Sequence, residues 1–512
     1  MNPIRYQGDD ELALRLHGTP DAEYINRVLN RLVIKIDNRK PNIQKHCDYV
    51  RGTRGELRFV SNEFRRYIAE RFKGFKDNWC FPVAQAPVER ISFKGFTPYG
   101  DDAPIDRRVW DIWNRSDADR GISEAALMMT SASRSFALAT LMPNGHARIS
   151  FENPDSCAML YDALTGQATA ALAIVQDDES EFGTLWLPDW VFAVRRTRIG
   201  ADDERTRAEP NVAGWEFVPE SAQRNPLGEI PMVEMRNQCM LDNLPMSDTA
   251  MVEDMQDTIN VVWAYLLNGL DYATLPARLL LGGDTLEEPV FDDKTHEIIG
   301  TKPIELDKQV TERILHIPGE GVTATEFSAA NLQGFIPVIE KAVEHIAAET
   351  RTPGHYLLTN ADVPATGYEV AEAGLVSKTT ERIGFLKNPI RQLMRIACRI
   401  EGDDATAKTL ETATVNFKSP LYRSDTQMAD AMVKYKTLGF PLRWIAENMG
   451  MGPEEVERLM RMVEEESHDT DLEALTRSLE ADNDPTGAVQ PTAQPPVGDG
   501  GESDAPQLVE NQ

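Results

Sequence analysis

The chain has 512 residues, of which 41% are hydrophobic and 26% are charged, and its formal net charge is -29. This length usually means several domains, and this composition is typical of globular protein. The acidity argues against a protein that binds nucleic acid over its whole surface, because such proteins carry an excess of lysine and arginine.

The cysteines are odd in number, widely spaced and without a CxxC pair, so they predict neither a zinc site nor a disulfide framework. They are Cys47, Cys80, Cys157, Cys239 and Cys398. No apolar run approaches the ~18 residues that span a bilayer, and the first residues lack the apolar core of a signal peptide. We therefore expect a reducing environment, no membrane insertion and no export by the usual route.

The N-terminal part is expected to begin with helices and then to turn to strand. Thr19, Pro20 and Asp21 predict a helix start, with an N-cap hydroxyl and a proline in the first turn. Apolar residues then recur at helical spacing: Ile25, Val28, Leu29, Leu32, Val33 and Ile36. A second helix is predicted from Asn62 to Phe75, and a strand from Trp79 to Phe96.

Short strands are predicted from Arg134 to about Asn237. The clearest turn is Met142 to His146, whose Asn-Gly pair can take the positive φ values of a type I′ hairpin turn. The β-rich part is expected to end at a turn, Asn225 to Pro231, followed by a short strand.

Two long helices with apolar stripes are predicted in the centre of the chain. Ser247 and Asp248 are N-cap candidates of the first, and Pro276 stops it. Its length of roughly 35 to 40 Å suits a structural strut. Asn331 is expected to cap the second helix and Pro353 to end it. The stripes are Met251, Val252, Met255, Ile259, Val262, Leu266 and Leu270, then Leu332, Phe335, Ile336, Ile339, Val343, Ile346 and Ala347.

Between these helices, Gly283 to Pro318 carries nine acidic and four basic residues and predicts a small exposed module. After the second helix, Leu358 to Gly367 has the composition of a loop. A further helix is predicted from Tyr368 to Arg399, with a possible bend where Pro389 removes a hydrogen bond. A strand at Thr414 to Phe417 and three helices follow, at residues 425–438, 441–449 and 453–466.

Residues 468–512 contain ten acidic residues and one basic residue. Full burial of their few large aliphatic side chains would gain roughly 10 to 20 kcal/mol. Ordering this many residues would cost about 45 kcal/mol or more in backbone entropy. A disordered tail is therefore predicted.

The sequence contains no recognisable catalytic motif. The absence of a GxxxxGK[ST] loop argues against an ATPase. The histidines have no metal-ligand spacing, and adjacent acids such as Asp177 to Glu179 point to different sides of a chain, which favours solvated loops over a two-metal site. We predict no catalytic residue, cofactor or metal, and no enzyme.

Two features are compatible with contact to DNA. Phe440 to Met460 imitates a helix-turn-helix, although Glu454 and Glu455 would face phosphates with negative charge, which favours packing over DNA readout. Six basic residues recur along the helix predicted from Tyr368, which indicates either a solvated or subunit-contacting face or a series that touches phosphates weakly in a channel. They are Lys378, Arg382, Lys387, Arg391, Arg395 and Arg399.

Four stretches, in this order, resemble the portal proteins of tailed double-stranded DNA phages, the head-to-tail connectors of the long-tailed type. They are Asn78 to Phe96, Asn225 to Val233, Asn331 to Leu357, which ends in Thr-Pro-Gly-His-Tyr-Leu, and Lys418 to Ser424. The resemblance covers most of the chain.

The resemblance implies an α+β chain with a mainly helical portal fold. Its expected parts are a β-rich wing (1–246), a first stem helix (247–282), a clip module (283–327), a second stem helix (328–353) and a tunnel loop (354–367). A tunnel helix and return strand (368–423), a helical crown (424–467) and a disordered acidic tail (468–512) complete it.

The resemblance also implies a homo-dodecameric ring at one capsid vertex of the virion, assembled in the host cytoplasm, through which double-stranded DNA is packaged and ejected. The expected channel residues are Thr359, Asn360, Asp362, Thr366, Lys378, Arg382, Lys387 and Arg391.

The clip would dock the terminase large subunit first and a head-completion adaptor later, through Asp284, Glu287, Glu288, Asp292, Asp293, Lys294 and Glu297. Major capsid and scaffolding proteins are further expected partners, and a membrane is not. The alternative function is a helix-turn-helix DNA-binding regulator.

Overall fold

The computed structural model describes residues 20–53, 57, 60–71, 76–98, 107–176, 180–197, 214–274, 278–283, 287–291, 298–303, 314–317, 319–326, 331–358, 368–421, 425–449, 451 and 455–466. The chain divides into two compact units, Met1–Pro453 and Glu454–Gln512. In the second unit, residues 455–466 form a helix. The tail predicted at 468–512 lies outside the described residues.

Twelve α-helices are described in the first unit. They are α1 (Ala22–Arg51), α2 (Asn62–Arg71), α3 (Cys80–Val88), α4 (Arg107–Arg115), α5 (Ala118–Ala132), α6 (Glu253–Thr274), α7 (Phe335–Thr350), α8 (Gly354–Leu357), α9 (Tyr368–Ile400), α10 (Asp404–Leu410), α11 (Asp425–Thr437) and α12 (Leu442–Asn448).

The strands are β1 (Phe93–Thr97), β2 (Arg134–Leu141), β3 (Ala147–Glu152), β4 (Cys157–Tyr161), β5 (Ala168–Gln176), β6 (Ser180–Trp186), β7 (Trp190–Thr197), β8 (Glu216–Phe217), β9 (Gln223–Arg224), β10 (Met232–Arg236), β11 (Arg278–Gly283), β12 (Glu287–Phe291), β13 (Ile298–Pro303), β14 (Ile314–Ile317), β15 (Gly319–Glu326) and β16 (Thr414–Phe417).

Helix α1 packs its apolar stripe on a six-stranded sheet of order β4-β5-β6-β7-β8, in which β9 also pairs with β7. The predicted stripe from Ile25 to Ile36 is buried, which confirms the helix. The first helical residue is Ala22, preceded by Asp21, whose side chain makes no cap hydrogen bond. Thr19, the predicted cap, lies outside the described residues.

The predicted hairpin is confirmed, with a different turn. β2 and β3 pair antiparallel, and β10 pairs with the other edge of β2. Gly145 has a φ of 82°, whereas Asn144 does not have a positive φ. Gly145 N donates to Met142 O at 2.9 Å. A longer loop with one left-handed glycine therefore replaces the expected type I′ pair.

The strand predicted from Trp79 to Phe96 is wrong over its first half, which forms helix α3. The side-chain oxygen of Asn78 accepts hydrogen bonds from the backbone nitrogens of Cys80 at 3.1 Å and Phe81 at 3.3 Å. Asn78 thus satisfies two N–H groups that the first turn leaves unpaired. Only the last residues of this range, from Phe93, are strand, where β1 pairs antiparallel with β16.

The largest core cluster surrounds α9, which continues through Pro389 for 33 residues. Trp113 of α4 is fully buried in it, and its ring centroid lies 4.2 Å from that of Phe93. Helix α5 packs on the same cluster. Helices α4, α5 and α9 and the pair of strands β1 and β16 therefore share one interior.

Helices α6 and α7 correspond to the two predicted central helices. α6 has 22 residues, about 33 Å at the usual rise. It begins at Glu253, so Ser247 and Asp248 are not its N-cap. Asn331 caps a turn rather than α7, because its side chain accepts from Gln333 N at 3.1 Å while α7 begins at Phe335. Both long helices are confirmed, and both predicted caps are wrong.

A small β module follows α6. β14 pairs parallel and β15 antiparallel with β11, and β12 pairs antiparallel with β13. Residues 278–282, which the prediction places in the first stem helix, belong to strand β11. A β-carbon on Gly282 would come 1.4 Å from Gly321 O, so glycine permits this pairing.

Replacement of Gly121 tests how closely α5 lies against β3. A β-carbon at this position would come 2.3 Å from Cδ2 of Phe151. We expect Gly121→Ala to lower the free energy of unfolding by about 1–3 kcal/mol, measured by urea denaturation.

The matched control is Gly384→Ala in α9, where a β-carbon meets nothing within 4 Å. Alanine should raise helix stability there by about 0.5–1 kcal/mol. Equal stability of the two variants would contradict this packing.

Candidate functional site

The predicted site residues are only partly described. Thr359, Asn360, Asp362 and Thr366 lie outside the described residues. So do Asp284, Asp292, Asp293, Lys294 and Glu297. The described members are Lys378, Arg382, Lys387 and Arg391 of α9 and Glu287 and Glu288 of β12.

Lys378 and Arg382 are buried, at 6% and 4% exposure, and both contact Asp248, which is 6% exposed. Lys378 Nζ lies 3.1 Å from one carboxylate oxygen and Arg382 Nη2 lies 2.8 Å from the other. We call these three residues the Asp248 ion cluster. Their side chains are therefore paired within the single chain.

Further polar groups complete the Asp248 ion cluster. Asn237 Nδ2 donates to Asp248 Oδ1 at 2.8 Å, and Lys378 Nζ donates to Thr350 O at 3.2 Å. Since Thr350 ends α7 and Lys378 belongs to α9, the cluster joins these two helices to the segment that leads into α6. The partners of Asp248 therefore come from distant segments, which its interpretation as an N-cap did not predict.

The cluster shifts the pKa of Asp248. Burial alone would raise this pKa, but the charges of Lys378 and Arg382 and hydrogen bonds from Arg382 and Asn237 outweigh burial and hold the pKa below its ordinary value of 3.8. For Lys378, burial lowers the pKa, and the carboxylate of Asp248 opposes that effect. The aspartate is ionised at neutral pH.

The other basic residues of α9 fall into two groups. Arg395 and Arg399 both donate short hydrogen bonds to Glu229. Lys387 is exposed, and Arg391 is half-buried and donates to Asn388 Oδ1 at 2.8 Å. Within the described part of the chain, neither Lys387 nor Arg391 forms an ion pair.

A second polar cluster fixes the start of α6. It was not predicted from the sequence. Glu253 is buried and pairs with Lys45 at 2.7 Å and, through a short contact, with His46. Asp257 accepts from Tyr49 Oη at 2.7 Å. No local pattern indicates these pairs, because about two hundred residues separate the partners along the chain.

Arg90 links three parts of the fold. Its guanidinium lies 2.9 Å from Glu372 of α9 and donates to Tyr356 Oη at 2.8 Å and to Pro420 O at 3.2 Å. Burial alone would lower the pKa of Arg90, but its hydrogen bonds to Glu372 and Tyr356 raise it. Arg90 thereby holds α8 close to the first turns of α9.

The described acids of β12 lie at the surface. Glu288 pairs with Lys302 at 3.2 Å, and Glu287 is exposed and accepts a short hydrogen bond from Thr301. Among the described residues, no group of three or more His, Cys, Asp or Glu side chains could hold a metal ion. No helix among them is long and apolar enough to span a membrane.

Asp248→Asn should destabilise the chain by about 3–5 kcal/mol at pH 7, because it removes the buried counter-charge that Lys378 and Arg382 share. The ionised carboxylate stabilises the wild type above the ordinary pKa of Asp248, and this contribution is lost as the pH falls through the lowered pKa. The stability difference between the two proteins should therefore shrink below about pH 4.

Glu381→Gln is the control for this series, because Glu381 also contacts Arg382, at 3.0 Å, but is 45% exposed. We expect a loss of about 0–1 kcal/mol. Chemical denaturation across pH measures all three proteins, and equal losses in the two variants would contradict the assigned role of Asp248.

Comparisons with known proteins give one family. The family model described as "Phage portal protein, SPP1 Gp6-like" matches residues 93–469. Among solved structures, a chain of "Neck of native GTA particle computed with C12 symmetry" has 12% identity and a TM-score of 0.40, over 78% of this chain and 96% of that chain.

Two curated relatives carry the name portal protein. That of Mycobacterium phage L5 is 26% identical over 431 residues, which are 80% of this chain and 82% of the relative. That of Mycobacterium phage D29 is 25% identical over 403 residues, 74% of this chain and 77% of the relative. Since the family model covers well over half of the 512 residues, the chain belongs to the phage portal protein family.

Proposed function

We propose that twelve copies of this chain form a closed ring at one vertex of a phage capsid, and that double-stranded DNA passes through its central channel during packaging and ejection. Ring closure by identical copies gives every chain the same two neighbours. The role is structural, with no catalytic step assigned to the chain. It replaces the helix-turn-helix regulator considered from the sequence.

The observation that carries the channel proposal is the state of the basic series on α9. Four of its six members pair with a carboxylate inside the chain, Lys378 and Arg382 with Asp248, and Arg395 and Arg399 with Glu229. Lys387 and Arg391 have no carboxylate partner among the described residues. Each subunit would therefore offer DNA two unpaired cations of this series rather than six.

Sparse cations suit a channel through which DNA must move. A duplex carries one negative charge per about 1.7 Å, and each phosphate contact with lysine or arginine releases counterions and strengthens binding. A densely basic wall would hold the duplex and slow it. A chain with a net charge of -29 repels DNA overall, so a few exposed cations steady the duplex without retaining it.

The exposed side chains of the β module support the assembly of this chain with other chains. Among the residues of the module whose burial the structure describes, only Gly282 is buried. Leu281, Ile298, Ile317 and Val322 are 38%, 65%, 50% and 71% exposed. Exposed apolar side chains on a small sheet are typical of a surface that other chains cover.

The proposed partners are those that the resemblance to portal proteins implies. We assign the β module, with Glu287 and Glu288, to the terminase large subunit during packaging and to a head-completion adaptor afterwards. The C-terminal helices would face the capsid interior, near major capsid and scaffolding proteins. Assembly would take place in the host cytoplasm, and the completed ring would lie in the virion.

Mass photometry of the purified chain tests the ring. Twelve chains of 57.3 kDa give about 690 kDa. A particle of this mass is the expected result, and a sample that remains a single chain at micromolar concentration would contradict the proposal.

Removal of Lys387 and Arg391 tests the channel cations. Alanine at both positions should leave the particle mass unchanged. The slope of log K against log salt for duplex DNA should fall in magnitude by about 0.9 for each phosphate that the variant no longer neutralises. Fluorescence anisotropy at several salt concentrations measures the slope.

Lys408→Ala, at an exposed position of α10, is the control and should leave the slope as in the wild type. An unchanged slope in the double variant would mean that these two side chains do not contact DNA.

A further inference from the structure

We propose that residues 239–246, which we call the apolar loop, are a contact surface for a second copy of this chain. The proposal rests on the ring described above and names one of the surfaces that close it. The loop has the sequence Cys-Met-Leu-Asp-Asn-Leu-Pro-Met and connects β10 to the segment before α6.

The apolar loop exposes large side chains that a solitary soluble chain would bury. Leu241 is 102% exposed, Leu244 is 64%, Met240 is 62% and Met246 is 39%. Single exposed apolar residues are common on protein surfaces, but four within seven consecutive residues form a patch. Patches of this kind usually mark interaction sites.

The apolar loop is held in a defined shape. Met246 N donates to Gln238 O at 2.9 Å and Asn243 N donates to Met240 O at 3.1 Å. Cys239 and Pro245 form an isolated antiparallel bridge, and Leu244 N donates to Asp242 Oδ1 at 2.9 Å. The apolar side chains are therefore presented by an ordered loop, and binding to them costs little additional ordering.

Asn237 attaches the apolar loop to the Asp248 ion cluster. Its side-chain nitrogen donates to Met246 O at 2.8 Å and to Asp248 Oδ1 at 2.8 Å. Arg382 Nη2 also donates to Gln238 Oε1 at 3.4 Å. The base of the loop is thus fixed to α9.

Charge favours a second copy as the occupant. Each chain carries a net charge of -29, so two copies repel unless the surfaces that meet are poor in charge. Residues 239–246 contain one charged residue, Asp242. A basic partner protein would instead bind best where acidic residues are dense.

The size of the loop gives the same answer. A standard interface comprises about 20–30 residues on each partner. Residues 239–246 are only eight residues, so the apolar loop is too small to hold a separate partner alone. It can contribute to the longer side-by-side contact that neighbouring copies make in a ring.

The test replaces Leu241 and Leu244 together with aspartate. Buried carboxylates would disfavour the contact, so the concentration for half-assembly should rise by at least about tenfold. The control is Leu164→Asp, since Leu164 is 66% exposed in the turn between β4 and β5. It should assemble as the wild type does. Mass photometry and circular dichroism report assembly and folding.

A photo-crosslinking amino acid at position 241 of the purified protein gives a second measurement that needs no destabilising charge. Irradiation should join two copies of the chain, and mass spectrometry should locate the acceptor peptide. Wild-type assembly of the aspartate variant, or absence of a crosslink between copies, overturns the apolar loop as an interface. If the wild type itself remains a single chain, the ring and this inference both fall.

Discussion

The fold depends on a buried carboxylate between two buried cations. Asp248 faces Lys378 and Arg382 at 3.1 and 2.8 Å, and Asn237 and Thr350 supply further hydrogen bonds. These groups lie on the segment before α6, on α9 and at the end of α7. Removing two or three charges from water is costly, so the cluster is favourable only when all three segments are in place. It therefore specifies one arrangement of the long helices more than it stabilises the chain.

The same pairings determine how much charge the long helix can offer to a ligand. A sequence with six basic residues on one helix suggests a strongly cationic face. Intramolecular carboxylates pair with four of them, and among the described residues Lys387 and Arg391 have no carboxylate partner. Together with a net charge of -29, this pattern suits a wall along which DNA slides more than one that grips it. The apolar loop is attached to the same cluster, so the surface proposed for a neighbouring copy and the long helix share one support.

Local patterns predicted much of the fold, and long-range pairing explains the errors. The stripe from Ile25 to Ile36 and the two central helices follow from helical periodicity, a property of neighbouring residues. Asp248 was interpreted as an N-cap because sequence shows only what lies nearby, whereas its partner Arg382 is 134 residues away. The first half of Trp79 to Phe96 has the apolar composition of a strand, yet it is a helix whose first two N–H groups donate to the side chain of Asn78. The order of the motifs in the sequence predicted the family. The sequence could not predict the burial of Lys378 and Arg382.

The central claim is that identical copies stand around an axis and enclose a channel bordered by a few exposed cations. Cryo-electron microscopy of the purified full-length protein tests it most directly, because it shows closure, copy number and side-chain position together. The account predicts a closed ring of twelve with a central hole, Lys387 and Arg391 facing that hole, and the Asp248 ion cluster intact in every subunit. Single chains, or a ring whose hole is bordered by neither Lys387 nor Arg391, would contradict it.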